Sequence, residues 1–309
     1  MTSQRAWRPL QAMEPALDYD VRNPQEEPVR KVGPLSELRQ NWKDATWWKH
    51  KYKDRVLINV LRNNGVFIVK EDWDNLVILD SCRYDVFEEL NTIRGKLESR
   101  ISRGTCTEEF LQENFVKFPQ TDFSDIVYVA GNPYVSKFLN GRFHKTYPVW
   151  DYGWDESLKT IPPDPIMKET LRAARENPGK RLIAHFMQPH EPFLETRLHD
   201  TGITEHRRSV IEKRRRQYTD VTVWDLIQRG ELKAQDAWAA YRRNLELVLP
   251  YVDVLVRELV GKTVITSDHG NLFGERPHWL YPFKELGHPA GLHVPALQTV
   301  PWLIAERNS

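Results

Sequence analysis

The sequence has little cysteine, no long apolar run and no excess of charge of either sign. Cys82 and Cys106 are its two cysteines in 309 residues, and neither lies in a paired metal-binding spacing. A disulfide framework is therefore excluded, and a reducing compartment is expected. With 44 Lys and Arg against 43 Asp and Glu, the formal net charge is +1. The chain thus lacks the basic surplus of a protein that coats nucleic acid, and no nucleic-acid partner is expected.

Membrane-spanning and secreted classes find no support either. No apolar run approaches the roughly 20 residues that cross a bilayer. The first residues lack the apolar segment of a signal peptide. We therefore expect a soluble, cytoplasmic protein without a transmembrane segment. Apolar residues at 40% and charged residues at 28% are typical of a folded domain and exclude disorder.

The composition divides the chain into two parts. Residues 1–33 are polar, rich in proline and without periodicity, and residues 35–72 carry a partly helical pattern. Residues 1–72 are therefore predicted to form an N-terminal arm and helical extension, and residues 73–309 a catalytic domain. Residues 194–234 interrupt the pattern of this domain and are predicted to be an insertion.

The predicted insertion contains a basic cluster at residues 213–216, Lys-Arg-Arg-Arg. The interpretation we favour is a solvated helix face. The alternative is a patch that binds an anion or a lipid headgroup near the active site.

Short apolar runs alternate with helical patterns in the second part of the chain. Runs that are apolar on both faces are typical of strands buried in a parallel sheet, and they cover residues 75–80, 126–130, 181–187, 263–266 and 302–305. The clearest helical pattern covers 236–260, with Asp236 as a candidate N-cap, a kink expected at Pro250 and Gly261 as the stop. This alternation predicts the α/β class, as a three-layer α/β/α sandwich with a largely parallel central sheet.

Carboxylates and imidazoles directly follow several of these strands. Asp80 ends the first run, and Asp268 and His269 follow the fourth. Because ligands of an open α/β sheet bind beyond the carboxyl ends of its strands, these side chains are expected at one rim. Carboxylate and imidazole together suit Zn, Mn or a similar ion. An Asp-His pair that only caps a helix is the ordinary explanation of the dipeptide alone, but a buried carboxylate such as Asp80 needs a partner or a metal.

Two loop histidines are further candidates. His190 lies in a Pro-His-Glu-Pro segment after the third run, and His288 lies between Gly287 and Pro289. Rigid loop settings make both less typical of core histidines. His278 and His293 lie close by in the sequence and compete with His288 for a role.

Residues 102–111 are predicted to be a loop that enters a helix. Thr105 and Glu108 have the spacing of a capping box. A hydroxyl or thiol at a helix N-terminus faces free N–H groups, which suits a simple cap and equally a nucleophile that attacks an anionic substrate. Cys106 is expected to have a lowered pKa there. The segment alone leaves Thr105, Cys106 and Thr107 open as nucleophiles.

Taken in order, these motifs resemble the alkaline phosphatase and sulfatase superfamily, and more narrowly an uncharacterised sulfatase-like branch. The shared order is a strand ending in Asp, a nucleophile at a helix start, a Pro-His-x-Pro loop, a Ser-Asp-His-Gly strand end and a late His. The resemblance covers roughly residues 73–305, and the matching stretches are 78–85, 186–193, 266–275, 287–289 and 300–302.

The resemblance implies roles for the residues that match. A divalent metal ion, Zn, Mn or Ca, would be bound by Asp80, Asp268 and His269, and the nucleophile at the helix start would complete its shell. Substrate oxygens or a second metal would be contacted by the two loop histidines, His190 and His288. Because no Asp-x-x-x-His pair occurs near His190, one well-formed metal site is predicted. Arg83, which lies near Asp80 in the sequence, would bind an anionic group. An ion pair between Arg83 and Asp85 is an equally plausible role.

The chain departs from true sulfatases at the nucleophile. Sulfatases need Cys-x-Pro-x-Arg to form formylglycine, and this chain reads Cys106-Thr-Glu-Glu-Phe110. An ordinary hydroxyl, that of Thr107, is therefore predicted to attack, which favours phosphate over sulfate. The predicted function is a metal-dependent hydrolase of phosphate or sulfate esters, with an anionic ester as substrate. The alternatives are a phosphotransferase acting on a glycan or lipid headgroup, and a relative that binds anions without catalysis.

Overall fold

A computed structural model of the chain describes residues 34–52, 61–195, 203–213 and 221–306. The predicted arm at 1–33 lies outside these residues, as do the three arginines at 214–216. The chain divides into two units, residues 1–48 and 49–309. In the first unit, Trp47 Nε1 donates to Glu37 Oε1 at 3.3 Å. Two helices are described near the start of the chain, α1 (Pro34–Asn41) and α2 (Ala45–Tyr52).

The second unit is built on a mostly parallel sheet of seven strands. Its strands are β1 (Asn75–Leu79), β2 (Gly95–Ile101), β3 (Phe123–Ala130), β4 (Phe143–Tyr147), β5 (Arg181–Phe186), β6 (Thr263–Thr266) and β9 (Thr299–Ala305). They are ordered β2-β9-β6-β1-β5-β3-β4, and β9 alone runs antiparallel to both of its neighbours. A separate two-stranded pair is formed by β7 (Leu272–Phe273) and β8 (Leu286–Gly287).

Helices surround this sheet. They are α3 (Tyr84–Leu90), α4 (Thr107–Leu111), α5 (Pro133–Leu139), α6 (Val149–Tyr152), α7 (Pro163–Glu176), α8 (Thr204–Ile211), α9 (Val223–Gln228), α10 (Ala234–Glu258) and α11 (Pro295–Gln298). A π-helix, Gln112–Val116, continues α4. The predicted fold class, an α/β sandwich with a largely parallel sheet, is confirmed. The predicted insertion contains α8 and α9.

The central strand β1 is buried on both faces of the sheet. All five of its residues are buried, and it pairs in parallel with β5 on one side and β6 on the other. A strand in that position needs apolar side chains on both faces, as Leu-Val-Ile-Leu supplies. Its carboxyl end therefore opens between two neighbouring strand ends, which is the rim where the candidate ligands were expected.

The long helix α10 differs from its prediction at its start. Lys233 is the N-cap residue and Asp236 lies within the first turn, where a negative charge suits the helix dipole without capping it. The helix is continuous through Pro250. Its buried face includes Tyr241, whose hydroxyl donates to the Ser81 carbonyl at 2.8 Å and so fixes the turn after β1.

Leu76→Ala is expected to destabilise the second unit by about 2–5 kcal/mol, since the substitution leaves a cavity beside strands on both sides of β1. Leu76 is 0% exposed. Val260→Ala is the control, because Val260 is 78% exposed and its change should stay within about 0.5 kcal/mol. Urea unfolding measures both variants. Equal effects would show that the packing around β1 does not limit stability.

Among the helices that the structure describes, none combines the length and the apolar character needed to cross a bilayer. The cytoplasmic location stays a prediction.

Candidate metal centre

Three predicted metal ligands converge because their strands are neighbours. Asp80 directly follows β1, and Asp268 and His269 follow β6, which pairs with β1 in parallel. All three side chains are fully buried. His269 Nε2 lies 3.6 Å from Asp80 Oδ1 and 3.4 Å from Asp268 Oδ2. The carboxylates and the imidazole thus surround one point.

The first turn of α4 brings Thr107 to the same point. Its Oγ1 lies 3.4 Å from Asp80 Oδ2 and 3.4 Å from His269 Nε2. Asn132, the N-cap of α5, donates its side-chain amide to Asp80 Oδ2 at 2.8 Å and lies 3.4 Å from Thr107 Oγ1. The structure therefore places the predicted nucleophile among the predicted ligands. Asn132 was not among the predicted residues.

His185 of β5 is a further member of the cluster that the sequence interpretation missed. Its Nε2 lies 3.8 Å from Asp80 Oδ2 and 3.9 Å from Asp268 Oδ2. Its Nδ1 lies 2.9 Å from the hydroxyl of Tyr128 on β3. Candidate ligand atoms of Asp80, His185 and Asp268 all lie within 4.8 Å of one another. The available signal was a histidine inside an otherwise apolar strand.

Unpaired polar atoms show that this cluster fits a cation. Asp80 Oδ1, His185 Nε2 and Asp268 Oδ2 are buried and have no hydrogen-bond partner. Buried polar atoms are nearly always satisfied, since an unmade hydrogen bond costs about 1–3 kcal/mol. Two carboxylates beside each other add electrostatic repulsion. A divalent ion would satisfy all three atoms and balance both negative charges.

The pKa values in the cluster are shifted because its carboxylates and imidazoles are buried beside one another. Burial and the neighbouring Asp268 carboxylate raise the pKa of Asp80 well above its usual range. Burial opposes ionisation of Asp268 too, yet the imidazoles of His269 and His185 hold its pKa below the ordinary value. Burial lowers the pKa of His185 to about 4 and also lowers that of His269. Both imidazoles are therefore neutral at pH 7, the form that coordinates metals.

Backbone N–H groups near Asp268 orient its carboxylate. Its Oδ1 accepts from the backbone N–H of Ser81 at 3.0 Å and of His269 at 2.9 Å, which leaves Oδ2 to face the cluster. Gly270 is required by close approach, since a Cβ there would lie 2.1 Å from the Ala296 carbonyl oxygen. Gly270 thus lets the chain after the two ligands pass close to the Ala296 backbone.

The other two candidate nucleophiles have different surroundings. Thr105 Oγ1 donates to Glu109 Oε2 at 2.7 Å, so the local cap pairs Thr105 with Glu109 and not with Glu108 as predicted. Cys106 is a free thiol at the N-cap of α4. The expectation of a lowered thiol pKa is wrong, because burial raises the pKa of Cys106 to about 12, with the carboxylates of Glu109 and Glu108 adding to the rise.

A cavity of about 450 Å³ opens beside the cluster, lined among others by Thr107, Asn132, His190 and His288. The ring centroids of His190 and His288 are 5.0 Å apart, and those of His269 and His288 are 4.6 Å apart. The structure thus brings both predicted loop histidines to the cavity. His293 instead holds Glu109 Oε1 at 2.8 Å. Within the described residues, Asp80, His185 and Asp268 are the one cluster of three metal-type ligands.

Arg83 is held by carboxylates outside this cavity. Its guanidinium donates to Asp85 at 2.6 Å and to Glu275 at 2.5 Å, and it also donates to the Asn271 carbonyl. It lies over the Trp238 ring at 5.2 Å. Of the two predicted roles for Arg83, the structure shows the ion pair with Asp85, and the anion-binding role stays a prediction.

His185→Gln is expected to weaken metal binding by about 10–100-fold, because it removes an imidazole that faces both carboxylates and is itself held by Tyr128. Competition against a chromogenic chelator measures the affinity. Tyr128→Phe, which removes only the hydroxyl beside Nδ1, should give a smaller loss. An affinity within twofold of the wild type for His185→Gln would show that His185 has no part in the centre.

Comparison with known proteins gives likenesses in structure only. No family model and no curated protein matches the sequence. The chain is similar to the soluble domain of lipooligosaccharide phosphoethanolamine transferase A from Neisseria meningitidis, with 14% identity and a TM-score of 0.48 over 74% of this chain and 75% of that one.

Two further solved structures are similar. One is the integral membrane protein EptA from Neisseria meningitidis, with 13% identity and a TM-score of 0.45 over 88% of this chain and 55% of that one, about half its length. The other is the C-terminal periplasmic domain of EcEptC from Escherichia coli in complex with Zn, with 11% identity and a TM-score of 0.42 over 79% and 76%. These proteins belong to the superfamily that the motifs resemble. Identities and TM-scores this low say nothing about what the present chain acts on.

Proposed function

We propose that this protein is a metal-dependent enzyme that cleaves a phosphate ester through the hydroxyl of Thr107. The observation that carries the proposal is the set of three buried ligand atoms without hydrogen bonds on Asp80, His185 and Asp268, with the Thr107 hydroxyl 3.4 Å from the other carboxylate oxygen of Asp80. A cluster that only supported the fold would pair those atoms with one another or with the backbone.

The residues that would hold the ion are Asp80, Asp268 and His269, with the Thr107 hydroxyl beside them and His185 as a further ligand. Imidazole ligands favour Zn or Mn over Ca, which prefers oxygen ligands throughout. When bound, such an ion would lower the pKa of a nearby hydroxyl and polarise a phosphoryl oxygen.

The chain's own side chains supply the remaining parts of the reaction. Thr107 Oγ1 attacks phosphorus in line, its proton passes to Asp80 Oδ2 at 3.4 Å, and the bond between phosphorus and the leaving oxygen breaks. His190 and His288 border the same cavity and are positioned to contact the equatorial oxygens or to protonate the leaving oxygen. The product of this step is a phosphorylated Thr107.

The second step decides between hydrolysis and transfer. An acceptor hydroxyl attacks the phosphorus held by Thr107 and gives its proton to a histidine of the cavity, the bond between phosphorus and Thr107 Oγ1 breaks, and Oγ1 takes back the proton from Asp80. We propose an alcohol of a glycan or lipid headgroup as the acceptor, with water as the slower substitute. A cavity of about 450 Å³ has room for far more than a phosphate group, which leaves space for an acceptor. Sulfate esters are not proposed, because Cys106 lacks the sequence needed for formylglycine.

A turnover assay on the purified protein tests this proposal. The protein is stripped with EDTA, reloaded with Zn, Mn or Ca, and supplied with p-nitrophenyl esters of phosphate, of alkyl phosphates and of sulfate. We expect turnover of phosphate esters that needs Zn or Mn, and a transfer product when an alcohol is added. No turnover with any ion would overturn the proposal and favour an anion-binding protein without catalysis.

A further inference from the structure

The short antiparallel pair of β7 and β8 joins the segment of the metal ligands to His288. β7 begins at Leu272, shortly after His269, and β8 ends at Gly287, directly before His288. Leu272 lies opposite Gly287 in this pair. One residue further along the same register, Asn271 is opposite His288, and side chains at opposed positions of a strand pair are close neighbours.

The side chain of Asn271 contacts the imidazole of His288 directly. Its Oδ1 lies 3.3 Å from His288 Nδ1. Asn271 is fully buried, and its backbone carbonyl accepts from the Arg83 guanidinium at 3.2 Å, which fixes its place. His288 lines the cavity beside the metal centre. A buried amide therefore supports the ring of a cavity histidine from within the protein.

Two other histidines of the site are held through the same ring nitrogen. His269 Nδ1 lies 2.8 Å from the Gly270 carbonyl oxygen, and His190 Nδ1 lies 2.5 Å from the Glu191 carbonyl oxygen. Because a carbonyl oxygen can only accept a hydrogen bond, each Nδ1 carries a hydrogen, and the lone pair of a neutral ring is on Nε2. For His269, Nε2 is the nitrogen that faces both carboxylates of the metal centre. An acceptor at Nδ1 thus decides which nitrogen of the ring can bind or react.

The charge beside the ring distinguishes His288 from His190. The carboxylate of Glu191 forms an ion pair with His190, with Oε2 3.6 Å from Nδ1, and a carboxylate favours a protonated ring. The partner of His288 at Nδ1 is the uncharged amide of Asn271. A neutral imidazole with its hydrogen on Nδ1 has a lone pair on Nε2, which is the form that accepts a proton. Of the two loop histidines, His288 is therefore the one suited to act as a base.

We propose that Asn271 is a positioning residue that holds His288 with its hydrogen on Nδ1, so that Nε2 takes the proton of the acceptor hydroxyl in the second step of the reaction. The O–H bond of the acceptor breaks as its oxygen bonds to phosphorus, and the proton moves to Nε2. The bond between phosphorus and Thr107 Oγ1 breaks, and Oγ1 recovers the proton held by Asp80. This role of His288 rests on the proposed function, whereas the place of its hydrogen can be measured without any turnover.

NMR locates the hydrogen. Protein labelled with ¹⁵N in histidine is loaded with Zn and studied at about pH 8, where an ordinary imidazole is neutral, and the signals of His288 are identified by their loss in His288→Gln. Wild type should carry the hydrogen on Nδ1. Asn271→Asp keeps an acceptor oxygen and should preserve this tautomer, whereas Asn271→Leu should shift the hydrogen toward Nε2. A hydrogen on Nε2 in the wild type would overturn the proposal, even if Asn271→Leu fails to fold.

Kinetics test the part that Asn271 has in the second step. Asn271→Leu should lower kcat by about 10–100-fold with unchanged metal content, and Asn271→Asp should lose less. A slower second step should also raise the fraction of Thr107 that is phosphorylated during turnover, measured by intact mass, whereas general damage to the site would lower that fraction. Asn140→Leu is the control, since Asn140 is exposed at the C-cap of α5, and it should match the wild type in kcat and tautomer.

A double variant separates action through His288 from a merely structural role. Added to His288→Gln, Asn271→Leu should lower kcat by less than about 2-fold, because the ring it positions is already gone. A full further loss would show that Asn271 acts through the fold and would overturn the proposal. A tautomer that depends on Asn271, with unchanged kcat in Asn271→Leu, would overturn the base role and leave the proposed function standing. Wild type without any turnover would remove both, and only the tautomer assignment would stand.

Discussion

Asp268→Asn is expected to abolish tight metal binding and to lower turnover of phosphate esters by about 10³-fold or more. The substitution keeps the size of the side chain and an oxygen for the N–H groups of Ser81 and His269, so the turn after β6 should persist. It replaces the unpaired Oδ2 with an amide NH₂ and removes one negative charge. Metal content by mass spectrometry and kcat/KM are measured on the same preparation.

Asp268→Asn is also expected to keep or raise the melting temperature of the metal-free protein, which a substitution that disrupts the fold would lower. Without metal, the wild type holds two carboxylates close together in a buried site, and the Asp268 carboxylate contributes to the raised pKa of Asp80. Asp268→Asn relieves that repulsion, so in EDTA its melting temperature should equal or exceed that of the wild type. Added Zn should raise the melting temperature of the wild type alone.

Asp253→Asn provides the matched control, because Asp253 lies on α10 and its carboxylate pairs with Arg257 at 3.2 Å. It should keep both metal and turnover. An Asp268→Asn protein that retains about one metal per chain and wild-type turnover would show that the metal centre has been placed wrongly.

Thr107→Ala is expected to lower turnover by about 10³-fold or more while leaving most of the metal bound. The variant removes the attacking oxygen but keeps the carboxylates and imidazoles that would hold the ion. Thr107→Ser restores a hydroxyl at the same place and should recover activity to within about 100-fold of the wild type. Trapping with substrate followed by intact-mass measurement should show a phosphorylated protein for wild type and Ser, and none for Ala.

Thr121→Ala, on the exposed turn before β3, controls for loss of a threonine hydroxyl and should leave turnover unchanged. Substantial turnover by Thr107→Ala would point to direct attack by an activated water. A phosphoryl group trapped on Cys106 would identify its thiol as the nucleophile, although burial raises the pKa of that thiol.

The strands that the sequence predicts are those buried on both faces, and the ones it misses lie at the edges. β1, β3, β5, β6 and β9 coincide with apolar runs, because both of their faces are covered. β2 and β4 are the outermost strands of the sheet. Both strands carry charged side chains, which discourage an edge strand from pairing with another chain. The charged residues interrupt the apolar pattern by which a strand is predicted, and they are Lys96, Glu98, Arg100 and Lys145.

The site shows the same dependence on long-range context. The ligands after β1 and β6 could be predicted because strand ends collect ligands in any parallel sheet. His185 could not, since only the pairing of β5 with β1 and the direction of its side chain bring it to Asp80. A helix start favours the thiolate of Cys106, but burial and two neighbouring carboxylates outweigh that effect and raise its pKa.

The candidate metal centre is assembled from four segments that the chain order keeps apart: the carboxyl ends of β1, β5 and β6, and the start of α4. Asp268 and His269 follow β6 in chain order, so a nascent fragment that stops before β6 lacks two of the candidate ligands. Uptake of an ion by the full set of ligands would require β1, α4, β5 and β6 together, and a bound ion would then favour the folded state. An ion present at 100 times its Kd would add about 2.7 kcal/mol to the free energy of unfolding. Supply of the metal would therefore set how long the folded protein persists as well as how fast it works.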